Sequence, residues 1–104
     1  MPEKVIAGQT VTVDEEGYLT QPSQWNRAIA EAIAQELGIQ LTDAHWKVID
    51  FIRKDFQERG TVPGMRRLNK VAGIATKDLY ALFPDGPIKK AARIAGCPKP
   101  TSCV

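Results

Sequence analysis

The last eighteen residues read Pro87-Ile88-Lys89-Lys90-Ala91-Ala92-Arg93-Ile94-Ala95-Gly96-Cys97-Pro98-Lys99-Pro100-Thr101-Ser102-Cys103-Val104. Proline suits the first turn of a helix, where its missing N–H has no intrahelical partner anyway. A helix over Ile88 to Ala95 follows, closed by Gly96. Beyond it Pro98 and Pro100 forbid helix, so 97–104 is an extended, mobile arm that ends on a penultimate thiol. Fully extended, those eight residues reach at most about 29 Å.

Upstream, short apolar-periodic segments alternate with stop signals. Thr76 caps a helix carrying Leu79, Tyr80, Leu82 and Phe83, which stops at Pro84. Met65 to Ala72 is a short helix ended by Gly73. A longer one begins near Thr42 or Asp43, runs to Arg59 and stops at Gly60; its apolar face is Trp46, Ile49, Ile52 or Phe51, and Phe56. Ser23, after Pro22, is the expected N-cap of a first helix through Trp25, Ala28, Ile29, Ala32, Ile33 and Leu37 to Gly38. Residues 4–7 and 10–13, rich in Val, Ile and Thr, read as a hairpin around Gly8-Gln9. A turn at 14–17 and a short strand near Tyr18-Leu19 follow. The expected fold is α+β, mostly α, in one domain over 1–104. A small antiparallel sheet (1–20) precedes an array of about five helices (23–96) and the C-terminal arm (97–104).

The size agrees. A chain of 104 residues holds one domain, and surface scaling gives a folded area of roughly 5,800 Å². With 43% hydrophobic and 25% charged residues, disorder and a disulfide-packed scaffold are excluded. No apolar run approaches the ~20 residues of a membrane span. The start, Met1-Pro2-Glu3-Lys4, does not read as a secretory signal. Cytoplasm, with both cysteines reduced, is the expected compartment. The net charge of +2 hides an asymmetry: residues 1–59 carry −4 and residues 60–104 carry +6. A basic half suits an anionic partner.

Cys103 is the leading candidate for chemistry. A thiol on a proline-stiffened arm suits a carrier, whose thiolate attacks sulfane sulfur, holds it as a persulfide and presents it to an acceptor. Lys89, Lys90, Arg93 and Lys99 would favour the thiolate and steer anionic species, and Arg66 is a further basic candidate for partner or anion binding. Cys97 reads either as a resolving thiol or as a small apolar side chain packed at the root of the arm. A Cys97–Cys103 disulfide would need Cα atoms within about 4.4–6.8 Å across two prolines. Two cysteines and the single histidine, His45, fall short of a zinc site, so no metal and no permanently bound cofactor is expected. His45 reads as a surface or half-buried residue. Trp25, Trp46, Phe51, Phe56, Tyr80 and Phe83 read as core. The two short helices around Gly73 also have helix-turn-helix geometry, which would put Arg66, Arg67 and Lys70 on DNA phosphates. The second helix, Lys77 to Phe83, has few base-reading side chains.

The run Leu79 to Pro87 and the tail Ile94 to Val104 resemble the DsrC/TusE family of sulfur-relay proteins, with a Leu-Phe-Pro-x-Gly-Pro segment and an Ala-Gly-x-Pro-Lys-Pro-x-x-Cys-hydrophobic end. Asp14 to Leu19, Trp25, His45 to Arg53, Pro63, Arg66 and Leu68 also fit, so the resemblance covers most of the chain. It implies a small sheet packed on a helical array, a mobile arm, and Cys103 as the sulfur-carrying residue. It implies a monomer serving sulfur donor and acceptor proteins, in tRNA thiolation or with dissimilatory sulfite reductase, either as carrier or as a non-transferring partner subunit. Two departures stand out. Members with two arm cysteines place the second eleven residues before the penultimate one, at Ala92 here, whereas Cys97 occupies a position usually apolar. The insertion that tRNA-thiolation and sulfur-oxidation members carry near Gly73 to Leu79 is absent.

Overall fold

The structure, a computed structural model, describes residues 2–100. Strands β1 (Glu3–Ile6) and β2 (Gln9–Thr12) pair antiparallel, with Lys4 opposite Val11 and Ile6 opposite Gln9. The connection is the two-residue turn Ala7-Gly8, with φ of 52° and 76°. Positive φ at both positions matches the strand twist but is unusual for an alanine. Ile6, Val11 and Val13 turn inward while Val5 stays in solvent. The expected third strand reduces to one bridge, Val13 with Leu19. Between them Asp14 Oδ1 accepts from the N–H groups of Glu16 and Tyr18, both at 2.9 Å, and this side chain shapes the turn.

The first helix, α1 (Arg27–Glu36), starts later than the Ser23 cap implies. Pro22–Gln24 is a single 3-10 turn. Its Gln24 is tied to the hairpin, accepting from Thr12 N–H at 2.8 Å through the side chain and from Gln9 Nε2 at 2.9 Å through the backbone. Asn26 is the true N-cap, its Oδ1 accepting from Ile29 N–H at 2.9 Å. Trp25 therefore stands on extended backbone before the helix.

Helix α2 (Asp43–Arg59) has the expected bounds, with Thr42 as N-cap and Gly60 left-handed at its end. Its buried stripe is rotated from the expected one: His45, Val48, Ile49, Ile52 and Asp55 face inward, while Trp46, Phe51 and Phe56 lie half-buried on the shoulders. His45 is buried because it serves two helices. Its Nδ1 lies 3.0 Å from Thr42 N–H and its Nε2 lies 2.8 Å from the Leu82 carbonyl at the end of α4 (Thr76–Leu82). Asp55 is buried beneath Arg59 and Arg67.

Helix α3 (Met65–Lys70) ends short of Ala72. Asn69 closes the link to α4: its amide donates to the Ile74 carbonyl at 2.6 Å and its oxygen accepts from Thr76 Oγ1 at 3.1 Å. Thr76 is thus the first helical residue and Ala75 the cap. Leu79 and Phe83 are fully buried, but Tyr80 is 44% exposed, not core. Helix α5 (Pro87–Ile94) runs through the centre of the array. Ile88, Ala91, Ala92, Ile94 and Ala95 have no exposed surface, and α5 packs on α1, α2 and α4. Small side chains let those three helices approach one axis. The accessible surface, 5747 Å², matches the scaling value. Among the described residues no helix is long and apolar enough to cross a membrane.

Candidate functional site

Helix α5 ends in a Schellman motif. Gly96 is left-handed at φ 69°, its N–H donates to the Arg93 carbonyl at 3.2 Å, and Cys97 N–H donates to the Ala92 carbonyl at 3.0 Å. That geometry wants an apolar residue immediately after the glycine, packed back on the helix. Cys97 fills the position and is 1% exposed. The remaining carbonyls at the helix end are taken by side chains from elsewhere. Trp25 Nε1 donates to the Ile94 carbonyl at 2.8 Å, and Arg53 Nη1 donates to the Ala95 carbonyl at 2.7 Å. The Arg53 guanidinium also stacks 4.0 Å over the Trp25 ring. The end of α5, at the root of the arm, is therefore clamped by two side chains.

Burial pushes the Cys97 thiol up to about 11, and the nearby Arg53 opposes this only in part. Its Sγ lies 3.9 Å from the Ala95 carbonyl oxygen. Cys97 at neutral pH is a packed, protonated thiol. Ala92, where two-cysteine relatives are expected to carry their second thiol, is fully buried on α5.

Beyond Cys97 the chain stays on the domain. Pro100 is buried, and Lys99 Nζ donates to Glu16 Oε1 at 2.9 Å, a bond that holds the lysine above its ordinary range. Around Glu16 the structure gathers four of the five basic residues singled out from sequence. Lys89, Lys90 and Arg93 line a cavity of about 280 Å³ with Glu16, Tyr18 and Asp85, and Lys99 reaches Glu16. The Arg93 guanidinium lies flat on Gly17, where an added Cβ would fall 3.0 Å from Nη2. Its Nη2 is 3.8 Å from Glu36, and its buried Nε has no hydrogen-bond partner among the described residues. Burial, reinforced by Glu16, raises the Tyr18 phenol and keeps it protonated. Arg66 is elsewhere, on a separate cavity at α3. Cys103 lies outside the described residues.

Among the described residues no cluster of three or more His, Cys, Asp or Glu side chains is placed to hold a metal. Helices α3 and α4 flank Gly73, and the exposed side of α4 carries Lys77, Asp78, Tyr80 and Ala81, one base against one acid. Sequence reasoning missed the clamp itself. Trp25 and Arg53 meet the end of α5 across sequence separations of 69 and 42 residues. The readable signal was Gly96 followed by a small apolar residue.

Among the described residues, a two-stranded hairpin and five α-helices, the last of which locks the root of a proline-stiffened tail, define the class: a small α+β domain built around its C-terminal segment. The chain belongs to the family described as DsrC like protein, whose model matches residues 5–104. It is 44% identical over 106 residues to the Sulfurtransferase TusE homolog of Haemophilus influenzae, covering 95% of this chain and 97% of the relative. That alignment is longer than the present 104 residues, so the relative carries residues without a counterpart here. The fold matches the solution structure of Allochromatium vinosum DsrC with a TM-score of 0.83 and 38% identity, covering 98% and 97% of the two chains. It also matches the oxidized gamma-subunit of the dissimilatory sulfite reductase (DsrC) from Archaeoglobus fulgidus, with a TM-score of 0.80 and 37% identity over 99% and 100%.

Proposed function

We propose that this chain is a sulfur carrier of a sulfur relay, working through Cys103. One observation carries the reading: the family match runs to residue 104 and so takes in the tail with its penultimate thiol. A relative named as a sulfurtransferase supports the same chemistry. The Cys103 thiolate attacks the terminal sulfur of a donor persulfide; a new S–S bond forms at Cys103 as the donor's S–S bond breaks and its thiolate leaves. An acceptor nucleophile then attacks the terminal sulfur and returns Cys103 as thiolate. Neither step needs an outside oxidant, reductant or bound cofactor. The buried, protonated Cys97 takes no part in loading and serves the clamp. The chain acts as a monomer in the reducing cytoplasm and meets donor and acceptor proteins in turn. A relative that is a sulfite reductase gamma-subunit makes that enzyme one candidate partner.

The test is intact mass after incubation of the reduced protein with a sulfane-sulfur donor, with peptide mapping. One sulfur atom added at Cys103 and removed by reductant is the expected result. Cys97→Ser retains loading. Loading of Cys103→Ser at the normal rate would refute the assignment.

A further inference from the structure

Far from any cysteine in sequence, the C-terminal turn of α2 and helix α3 border an open cavity of about 470 Å³. Four cationic side chains line it, Arg59, Arg66, Arg67 and Lys70, together with Thr61, and no carboxylate does. Such a concentration of like charge is costly unless something offsets it. Beneath it sits Asp55, 3% exposed, which accepts from Arg67 Nε at 2.9 Å, Arg67 Nη2 at 2.7 Å and Arg59 Nη1 at 3.2 Å. One buried carboxylate thus anchors two guanidinium planes from below and cancels one of the four charges. Glu58 acts on Arg67 from outside the cavity.

The anchoring has a second consequence. Both guanidiniums stay accessible, with side-chain exposures of 44% for Arg59 and 34% for Arg67. Arg59 Nε and Nη2 and Arg67 Nη1 make no hydrogen bond among the described residues. These donors are held in fixed planes, so little side-chain entropy is lost when an anion arrives. Arg66 and Lys70 are exposed on the rim, beside Val71, which is 57% exposed and gives an apolar lip. Planar donors in pairs, a local excess of about three positive charges and an apolar edge fit a phosphate group carried on an organic moiety.

We propose that this cavity is a phosphate-binding site, separate from the sulfur chemistry. The phosphate belongs either to a free phosphate ester or to a nucleic-acid backbone, and the experiment separates the two. Amide spectra of the full-length protein are recorded with sodium phosphate, with a short single-stranded oligouridylate, and with sodium chloride at matched ionic strength. The expected result is shifts confined to residues 59–71 beyond those chloride produces. Arg66→Ala/Lys70→Ala, two exposed side chains outside the Asp55 network, should weaken binding about tenfold or more. Lys47→Ala, an exposed cation of α2 outside the cavity, should leave binding unchanged. Saturation by phosphate alone identifies a free-ester site. Weak phosphate binding with tight oligonucleotide binding, and a salt slope reduced in the Arg66/Lys70 variant by about 0.7 per lost contact, identifies the backbone. Shifts equal to those from chloride, or unchanged affinity in the Arg66/Lys70 variant, overturn the proposal. So does binding of polyglutamate in place of both phosphate ligands, which would assign the surface to an acidic protein.

Discussion

Replacing Gly96 by alanine should destabilise the protein more than the same change at Gly38, and the difference measures the clamp at the root of the tail. Both glycines are left-handed, with φ of 69° and 73°. An L-residue in that conformation costs about 1–2 kcal/mol at either site. At Gly38 an added Cβ meets nothing within 4 Å, so the backbone cost is the whole effect. At Gly96 it would fall 2.7 Å from Cβ and Cγ of Trp25. Trp25 cannot step aside freely, since its indole N–H is bonded to the Ile94 carbonyl and Arg53 stacks on its ring. Overpacking of this kind adds about 1–3 kcal/mol. Gly96→Ala should therefore cost about 2–5 kcal/mol and Gly38→Ala about 1–2 kcal/mol. Urea midpoints with unchanged slopes are the assay, and in a domain of this size each kcal/mol moves the melting temperature by about 4–8 °C. Equal losses at the two sites would refute the reasoning, because the close approach of Trp25 would then carry no energy.

Three further predictions concern buried titratable groups. At pH 8 the native protein should show one rapidly alkylated thiol, Cys103, with Cys97 reacting only on unfolding; two equally fast thiols would contradict the burial of Cys97. Because the folded Cys97 titrates near 11 against an ordinary value of 9.0, the unfolded chain loses that proton first as pH rises. Stability should fall between about pH 9 and 11, by no more than about 2 kcal/mol, and the decline should be shallower in Cys97→Ala. Asp55 behaves in the opposite sense. Its hydrogen bonds from Arg67, then Arg59, hold the carboxyl below its ordinary range, so it stabilises the fold above about pH 4 and the contribution is lost on acidification. Asp55→Asn should lower stability at pH 7 by about 2 kcal/mol and flatten the acid limb, read from urea midpoints between pH 7 and 3. An unchanged acid limb would show that Asp55 is not the group responsible.

Much of the fold was legible in advance because its signals are local. Gly60, Pro87 and Gly96 stop or start helices through backbone geometry that needs no neighbours, and α2 and α5 fall where those residues put them. Errors arose where a distant group competed for a local one. Ser23 is a good cap by itself, but Gln24 is held by the hairpin and Asn26 takes the role. Helical periodicity put Trp46 and Phe56 on the buried face of α2. The face turned because His45 and Asp55, polar in sequence, are satisfied by Leu82 and by Arg67 across the fold.

The same division holds for the function-bearing parts. The sequence alone determined the α+β class, the helix order, the proline-stiffened tail and the family, since each depends on residue type and spacing along one chain. Only the tertiary structure decided that Cys97 is buried, which cations meet around Glu16, and that Arg66 belongs to a different cavity. Burial and electrostatic environment are sums over neighbours brought together from far apart in sequence. Burial raises Cys97 to about 11, and the clamp exists because Trp25 and Arg53, stacked on each other, reach the end of α5 from distant parts of the chain.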